Sequence, residues 1–257
     1  MAGKSPAFSL FILIQLFLFL TAGGTDFKKE QFRYSRVREA YAAKDSLMHS
    51  KFEQAGAVWP PSKIFIRIFK AEQVLELWAM PKTDSCLKKI ESYKVCSSSG
   101  VLGPKRKQGD YQVPEGFYYI DRFNPASSYH LSLGINYPNA SDKILGFKKN
   151  LGGDIFIHGD CVTIGCVPLT DDKIKEVYLA AVEASDGGQD RIPVHIFPFM
   201  MNDKNMKTML WRYKEHKVFW GNLKDGYDYF EDRRVIPPVK VDKKGIYTYI
   251  DRERMED

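Results

Sequence analysis

In the stretch IFIHGDCVTIGCVPLTDD, residues 155 to 172, one imidazole and two thiols fall between His158 and Cys166. Three chemistries use such a set. Thiolates and imidazoles suit zinc, and His158, Cys161 and Cys166 would need a fourth ligand such as His195, although the spacings match no common zinc module. Cys161 and Cys166 are also close enough in sequence to form a disulfide with each other. In the third reading, a thiol within reach of the imidazole acts as a nucleophile, and the protonated ring later serves a leaving amine. The apolar run before His158 would hold the ring still in a buried strand. Gly165 lets the chain turn tightly before Cys166 and leaves backbone N–H groups to face an oxyanion. Spacing alone leaves all three open.

The rest of the chain must position this cluster. With 257 residues, 44% of them hydrophobic and 14% aromatic, it can bury a full core. The formal charge of +6 is spread among interspersed acids and bases, the pattern of a solvated surface and not of a nucleic-acid stripe, so no nucleic-acid partner is expected. Lys4 precedes an apolar run from Ala7 to about Ala22 that ends in small residues. It is short for a membrane span, which needs roughly 20 residues, and reads as an export signal over residues 1–23. Any membrane contact is expected only through that signal. Four cysteines, Cys86, Cys96, Cys161 and Cys166, are too few for a disulfide scaffold. Cys86 and Cys96 flank an extended run that holds them out of reach of each other.

Residues 24–60 read as a helical N-terminal extension, with Val37, Ala40, Tyr41, Leu47, Met48 and Phe52 near the helical period. From Lys63 onward, strand-like runs separated by Gly, Pro, Asn and Asp predict a mostly antiparallel sheet. His130 is placed on one of these alternating strands. The segment after Thr170 is a capped helix ended by Gly187-Gly188, and RIPVHIFPFMM returns to strand. The stretch 203–234 is expected to be helical, with Met206, Leu210, Trp211, Phe219, Trp220 and Tyr227 in the core, and the end of the chain is expected to be a hairpin. PKRK at 104–107 reads as a solvated loop, with contact to an anionic wall polymer as the alternative, and Cys161 as a small buried neighbour of the cluster.

The pair His158-Gly159 followed by Thr163-Ile164-Gly165-Cys166 resembles the motif of the L,D-transpeptidase (YkuD-type) catalytic domain family, especially its YafK-like subgroup of exported bacterial murein enzymes. Upstream, YQVPEGFYYID is similar to the family's approach to its site, with Val113 where Thr is usual, and YHLSLGINYPNASD resembles a subgroup segment. The likeness covers roughly residues 63 to 200. It departs from the larger family in carrying Ile164 in place of a second histidine and Val167-Pro168 after the cysteine.

The resemblance implies a mixed, mainly β fold, an L,D-transpeptidase-like β-sandwich or barrel core with flanking helices and an N-terminal helix, with residues 61–257 as the catalytic domain. It also implies roles. Cys166 would be the nucleophile, His158 the general base and acid, Gly159 the residue that orients His158, and Gly165 and Cys166 the oxyanion donors. His130, Tyr129, Asn136, Asn139 and Thr163 would line the substrate cleft. No cofactor and no metal is expected. The implied partner is the peptidoglycan stem peptide, attacked at meso-diaminopimelate through a thioester, with a wall-attached protein as a further partner. The implied location is the bacterial periplasm or cell envelope. Two alternatives stand beside cross-linking: hydrolysis, which would release a D-amino acid or a wall-attached protein, and a catalytically inactive wall-binding module.

Overall fold

β-Branched and aromatic runs between turn residues become strands here, and eight of them join one sheet. The structure is a computed structural model that describes residues 26–81 and 85–249; the expected signal at 1–23 lies outside the described residues. The strands are β1 (Ile64–Phe69), β2 (Val74–Ala79), β3 (Lys88–Lys94), β4 (Gly116–Asn124), β5 (Ser132–Ile135), β6 (Phe156–His158), β7 (Val167–Pro168) and β8 (Pro193–Phe197). Their order is β3-β2-β1-β8-β4-β5-β6-β7. All neighbours run antiparallel except β1 with β8 and β6 with β7. The mainly β core with flanking helices is therefore as expected.

Both faces of this sheet are covered. Along β1, Ile64, Ile66 and Ile68 join the core beneath α2 (Ser35–Gln54) and α4 (Asp171–Asp186), while Phe65 and Phe69 point the other way. That second face lies under Trp220, Leu223, Tyr227 and Phe230 of α6 (Lys217–Arg233). α4 begins at the Thr170 cap, whose side chain accepts from Lys173 N, and ends at Gly187. Its buried Glu176 takes Lys51 of α2 at 2.6 Å and the Tyr93 hydroxyl of β3 at 3.1 Å, so charge as well as apolar packing fixes the helices to the sheet. A short α1 (Phe27–Gln31), α3 (Ala140–Leu145), α5 (Asp203–Arg212) and the hairpin of β9 (Val239–Val241) with β10 (Tyr247–Tyr249) complete the fold.

Several sequence expectations are corrected. Leu47 is exposed on α2, whose buried stripe is Val37, Ala40, Tyr41, Met48 and Phe52. Trp211 is 79% exposed on α5 and so is no core residue. His130 is not on a strand: it stands at φ 65° in the turn before β5. The PKRK loop is solvated only in part: Lys107 is exposed, but Lys105 is buried against Asp110 at 2.6 Å and Arg106 lies over the Phe219 ring at 4.7 Å. Cys161 is exposed, and it is bonded neither to Cys166 nor to zinc ligands but to Cys96, 65 positions away.

That bond lies at a seam. β3 and β7 are the two edges of the sheet, and just past β3 the Cys96 N–H donates to Pro168 O of β7 at 3.0 Å. The sheet thus curls until its edges meet, and the Cys96–Cys161 disulfide fastens the meeting point. Closing a loop of this length removes unfolded-chain entropy equivalent to about 4 kcal/mol.

A second fastening is polar and buried. Glu115, just before β4, accepts from Lys70 Nζ at 2.9 Å, Gly103 N at 2.7 Å and Trp220 Nε1 at 2.8 Å. Lys70 also donates to the Gly103 and Val113 carbonyls. Burial pushes the Lys70 pKa down and Glu115 opposes the shift. Glu115→Ala would leave an uncompensated buried ammonium, and the expected loss in urea unfolding is about 3–5 kcal/mol. A loss below 1 kcal/mol would show that water reaches the site.

Candidate active site

β6 is three residues long, and its neighbours set where its side chains stand. Two rows cross the sheet at this point: Asn124, Ser132 and His158 in one, Arg122, Gly134 and Phe156 in the next. His158 is buried and its Nδ1 lies 2.5 Å from the Gly159 carbonyl oxygen. A carbonyl only accepts, so Nδ1 carries the hydrogen and Nε2 is left as the basic nitrogen. Gly159 has no room for a side chain, since a Cβ would lie 2.6 Å from Asp171 Oδ1 and 3.0 Å from Tyr129 O. The Tyr129 ring packs 4.8 Å from the imidazole.

Cys166 is delivered from the other side by a turn. Gly165 stands at φ 99°, a conformation natural to glycine, and a Cβ there would lie 3.1 Å from Gln112 O. Thr163 Oγ1 donates to the Cys166 carbonyl at 2.8 Å and closes the turn. Because Val167 pairs with Ile157 in parallel register, the thiol comes to rest against the start of β6. There Phe156 N–H donates to Cys166 Sγ at 3.4 Å, and the thiol in turn donates to Asp154 O at 3.6 Å.

Burial governs the electrostatics of both groups. It raises the Cys166 pKa above the ordinary thiol value, with Asp154 adding to the rise and the Phe156 N–H and Lys105 opposing it. It lowers the His158 pKa, against the Gly159 carbonyl and Asp160, which favour the protonated ring. At neutral pH the resting pair is therefore thiol and neutral imidazole, and not thiolate and imidazolium.

His158 and Cys166 line one cavity of about 630 Å³ together with Tyr129, Thr163, Asn124, Ser132, Asp154 and Phe156. The sequence-derived site residues divide at this point. Tyr129 reaches the cavity wall, and Thr163 does too, although its hydroxyl serves the turn. His130 faces Asp171 at 4.0 Å, and its carbonyl takes the Arg36 guanidinium of α2 at 2.8 Å, so it braces the wall from behind. Asn136 accepts from Tyr119 N, and Asn139 caps α3 and donates to Phe117 O and the Tyr247 hydroxyl. Both line a separate cavity of about 540 Å³ and are not brought together with His158 and Cys166. The Gly165 N–H donates to Ser99 Oγ at 2.7 Å and is engaged there in this arrangement.

The zinc set is not assembled either. Cys161 is in the disulfide, and the His195 ring is boxed between Phe65 and Phe117 at 4.5 and 4.6 Å. Among the described residues no group of three or more His, Cys, Asp or Glu is placed to hold a metal ion. Sequence reasoning missed Asn124, Ser132, Asp154 and Phe156. The available signal was the strand period: Phe156 lies two residues before His158 and so shares its face.

A family model described as the L,D-transpeptidase catalytic domain, YkuD, matches residues 63–196, a span that runs from β1 into β8 and includes His158 and Cys166. A protein named provisionally the L,D-transpeptidase YafK of Escherichia coli (strain K12) is 43% identical over 182 residues, 70% of this chain and 71% of its own length. Among solved structures, the helical cell shape determining protein Pgp2 from Campylobacter jejuni is 16% identical, with a TM-score of 0.44 over 81% of this chain and 84% of that one. With more than half of its residues under the family model and 43% identity to a relative of which it covers 71%, the chain belongs to the YkuD family of L,D-transpeptidase catalytic domains.

Proposed function

We propose that the chain is a cysteine-dependent acyltransferase acting on peptidoglycan stem peptides at meso-diaminopimelate, after export to the cell envelope. The observation that carries this reading is the convergence of Cys166 and His158 on one cavity wall, with the His158 tautomer fixed by Gly159. His158 Nε2 accepts the thiol proton as Sγ attacks the donor carbonyl, for which the thiol must turn from Asp154 O toward the ring. The tetrahedral oxyanion meets the Cys166 backbone N–H, and a well-placed donor of this kind contributes about 2.7–4 kcal/mol. As the intermediate collapses, His158 gives the proton to the leaving amine and a thioester remains on Cys166. A second amine that attacks the thioester makes a new cross-link; water in its place releases the shortened peptide.

The resting protonation states give this mechanism a pH signature. Because the His158 pKa is depressed, the ring remains basic as pH falls to about 6.5, the ordinary histidine value, and activity is lost only below it. Because the Cys166 pKa is raised, iodoacetamide alkylation of the unliganded protein should be slow at neutral pH and still climbing at about pH 8.5. A plateau already reached at pH 6 would instead show a preformed thiolate.

Intact-mass measurement with a carbapenem tests the nucleophile directly. One adduct is expected on the wild type and on Cys86→Ala, and none on Cys166→Ala. An adduct that survives in Cys166→Ala would overturn the assignment. Incubation with stem tetrapeptides then reads the acceptor, since cross-linked dimers mean transfer and tripeptide alone means hydrolysis.

A further inference from the structure

Next to the row that holds His158, the sheet carries a charge pair. Arg122 on β4 faces Gly134 on β5, and Gly134 faces Phe156 on β6. The Arg122 guanidinium lies across this gap over the Phe156 ring, 4.8 Å from its centre. It can lie there only because residue 134 has no side chain: a Cβ would stand 2.6 Å from Arg122 Nε and 3.1 Å from the Phe156 ring. Phe156 is also the residue whose N–H touches Cys166 Sγ, so the guanidinium rests on the back of the thiol's own support.

Arg122 is not saturated in this position. Its contacts to Asp121 and Asp154 are 3.5 and 3.6 Å, longer than the roughly 2.7–2.9 Å of a tight charge-assisted bond. The Arg122 side chain is 42% exposed and that of Asp154 85% exposed. Asp154 lines the cavity, and its φ of 55° turns it out of the strand path in a conformation aspartate tolerates. Asp154, which lines the cavity, and Arg122, which lies over the ring of the lining residue Phe156, thus stand side by side, loosely paired and open to a ligand.

We propose that Arg122 and Asp154 form a recognition pair for the zwitterionic amino-acid end of the acyl donor, Arg122 taking its carboxylate and Asp154 its ammonium. An amino-acid end carries both charges on one carbon and so can insert into the loose pair and satisfy both partners. A bare carboxylate would face Asp154, and a bare amine would face Arg122. The inference rests on the acyl-transfer reading and names its donor class: stem peptides whose diaminopimelate side chain keeps a free amine and a free carboxylate.

The test is titration calorimetry on Cys166→Ala, which cannot turn over. Three tetrapeptides serve as probes: unmodified, carboxamidated at the side-chain carboxylate of diaminopimelate, and acetylated at its side-chain amine. Each modification should weaken binding about five-fold, the effect of one exposed ion pair. Arg122→Ala should weaken the unmodified peptide by a similar factor and abolish the penalty for amidation. Asp154→Asn, which keeps shape and backbone, should abolish the penalty for acetylation. Gly134→Ala should reproduce Arg122→Ala by displacing the guanidinium, and thermal melting of each variant would reveal a mere folding defect. Equal loss for all three peptides, or no loss in either variant, would overturn the pair. If no tetrapeptide binds while Cys166 of the wild type still takes the lactam, the pair fails and the nucleophile stands. If the charge-specific losses appear but no lactam adduct forms, the pair stands and the acyl-transfer reading fails.

Discussion

The closure of a curled sheet on itself at Cys96 is the constraint on which the site depends. Eight twisted strands leave two edges, β3 and β7, and unpaired edges cost exposed backbone groups. Here the chain leaving β3 meets β7 through the Cys96 N–H, and the same residue reaches Cys161 through its sulfur. Cys161 lies between His158 and Cys166, and Pro168 follows Cys166. One residue just past a distant strand therefore holds the reactive loop on both sides of the thiol.

Glu115 does for the other side of the molecule what Cys96 does for the seam. Its carboxylate joins the end of β1, the loop at Gly103 and the indole of α6. That loop continues through Lys105 and Asp110 to Gln112, whose carbonyl packs on Gly165. The C-terminal helices thus contribute to the site without a side chain in the cavity: they fix the loop that fixes the turn that presents Cys166. α2 acts similarly from the opposite flank, where Arg36 holds the Ser127 and His130 carbonyls and so the wall that carries Tyr129.

What could be read from the sequence was whatever local pattern encodes. The capped α4 and the strand runs depend on residues a few positions apart, and both appear in the fold as expected. The pairing of Cys96 with Cys161 does not, because it joins residues 65 apart through a sheet closure that no local pattern announces. Asn136 and Asn139 stand apart from His158 and Cys166 for a related reason. Their turn-forming chemistry is real, since Asn139 caps α3, but the strand order places that turn on a different cavity. Trp211 and Leu47 show the limit of periodicity, which gives a face only when the neighbour that covers it is known.

The turn between Cys161 and Cys166 has a division of labour with consequences for how such chains diverge. Thr163 and Gly165 are committed inward, one to the Cys166 carbonyl and one to Ser99, whereas Val162 and Ile164 are 51% and 74% exposed at the cavity rim. Substitutions at the two outward positions alter what approaches the thiol without moving the backbone that presents it. Under the proposed acyl-transfer reading, the approach of an acceptor can therefore change at positions 162 and 164, on either side of Thr163, while the inward bonds of the turn stay in place.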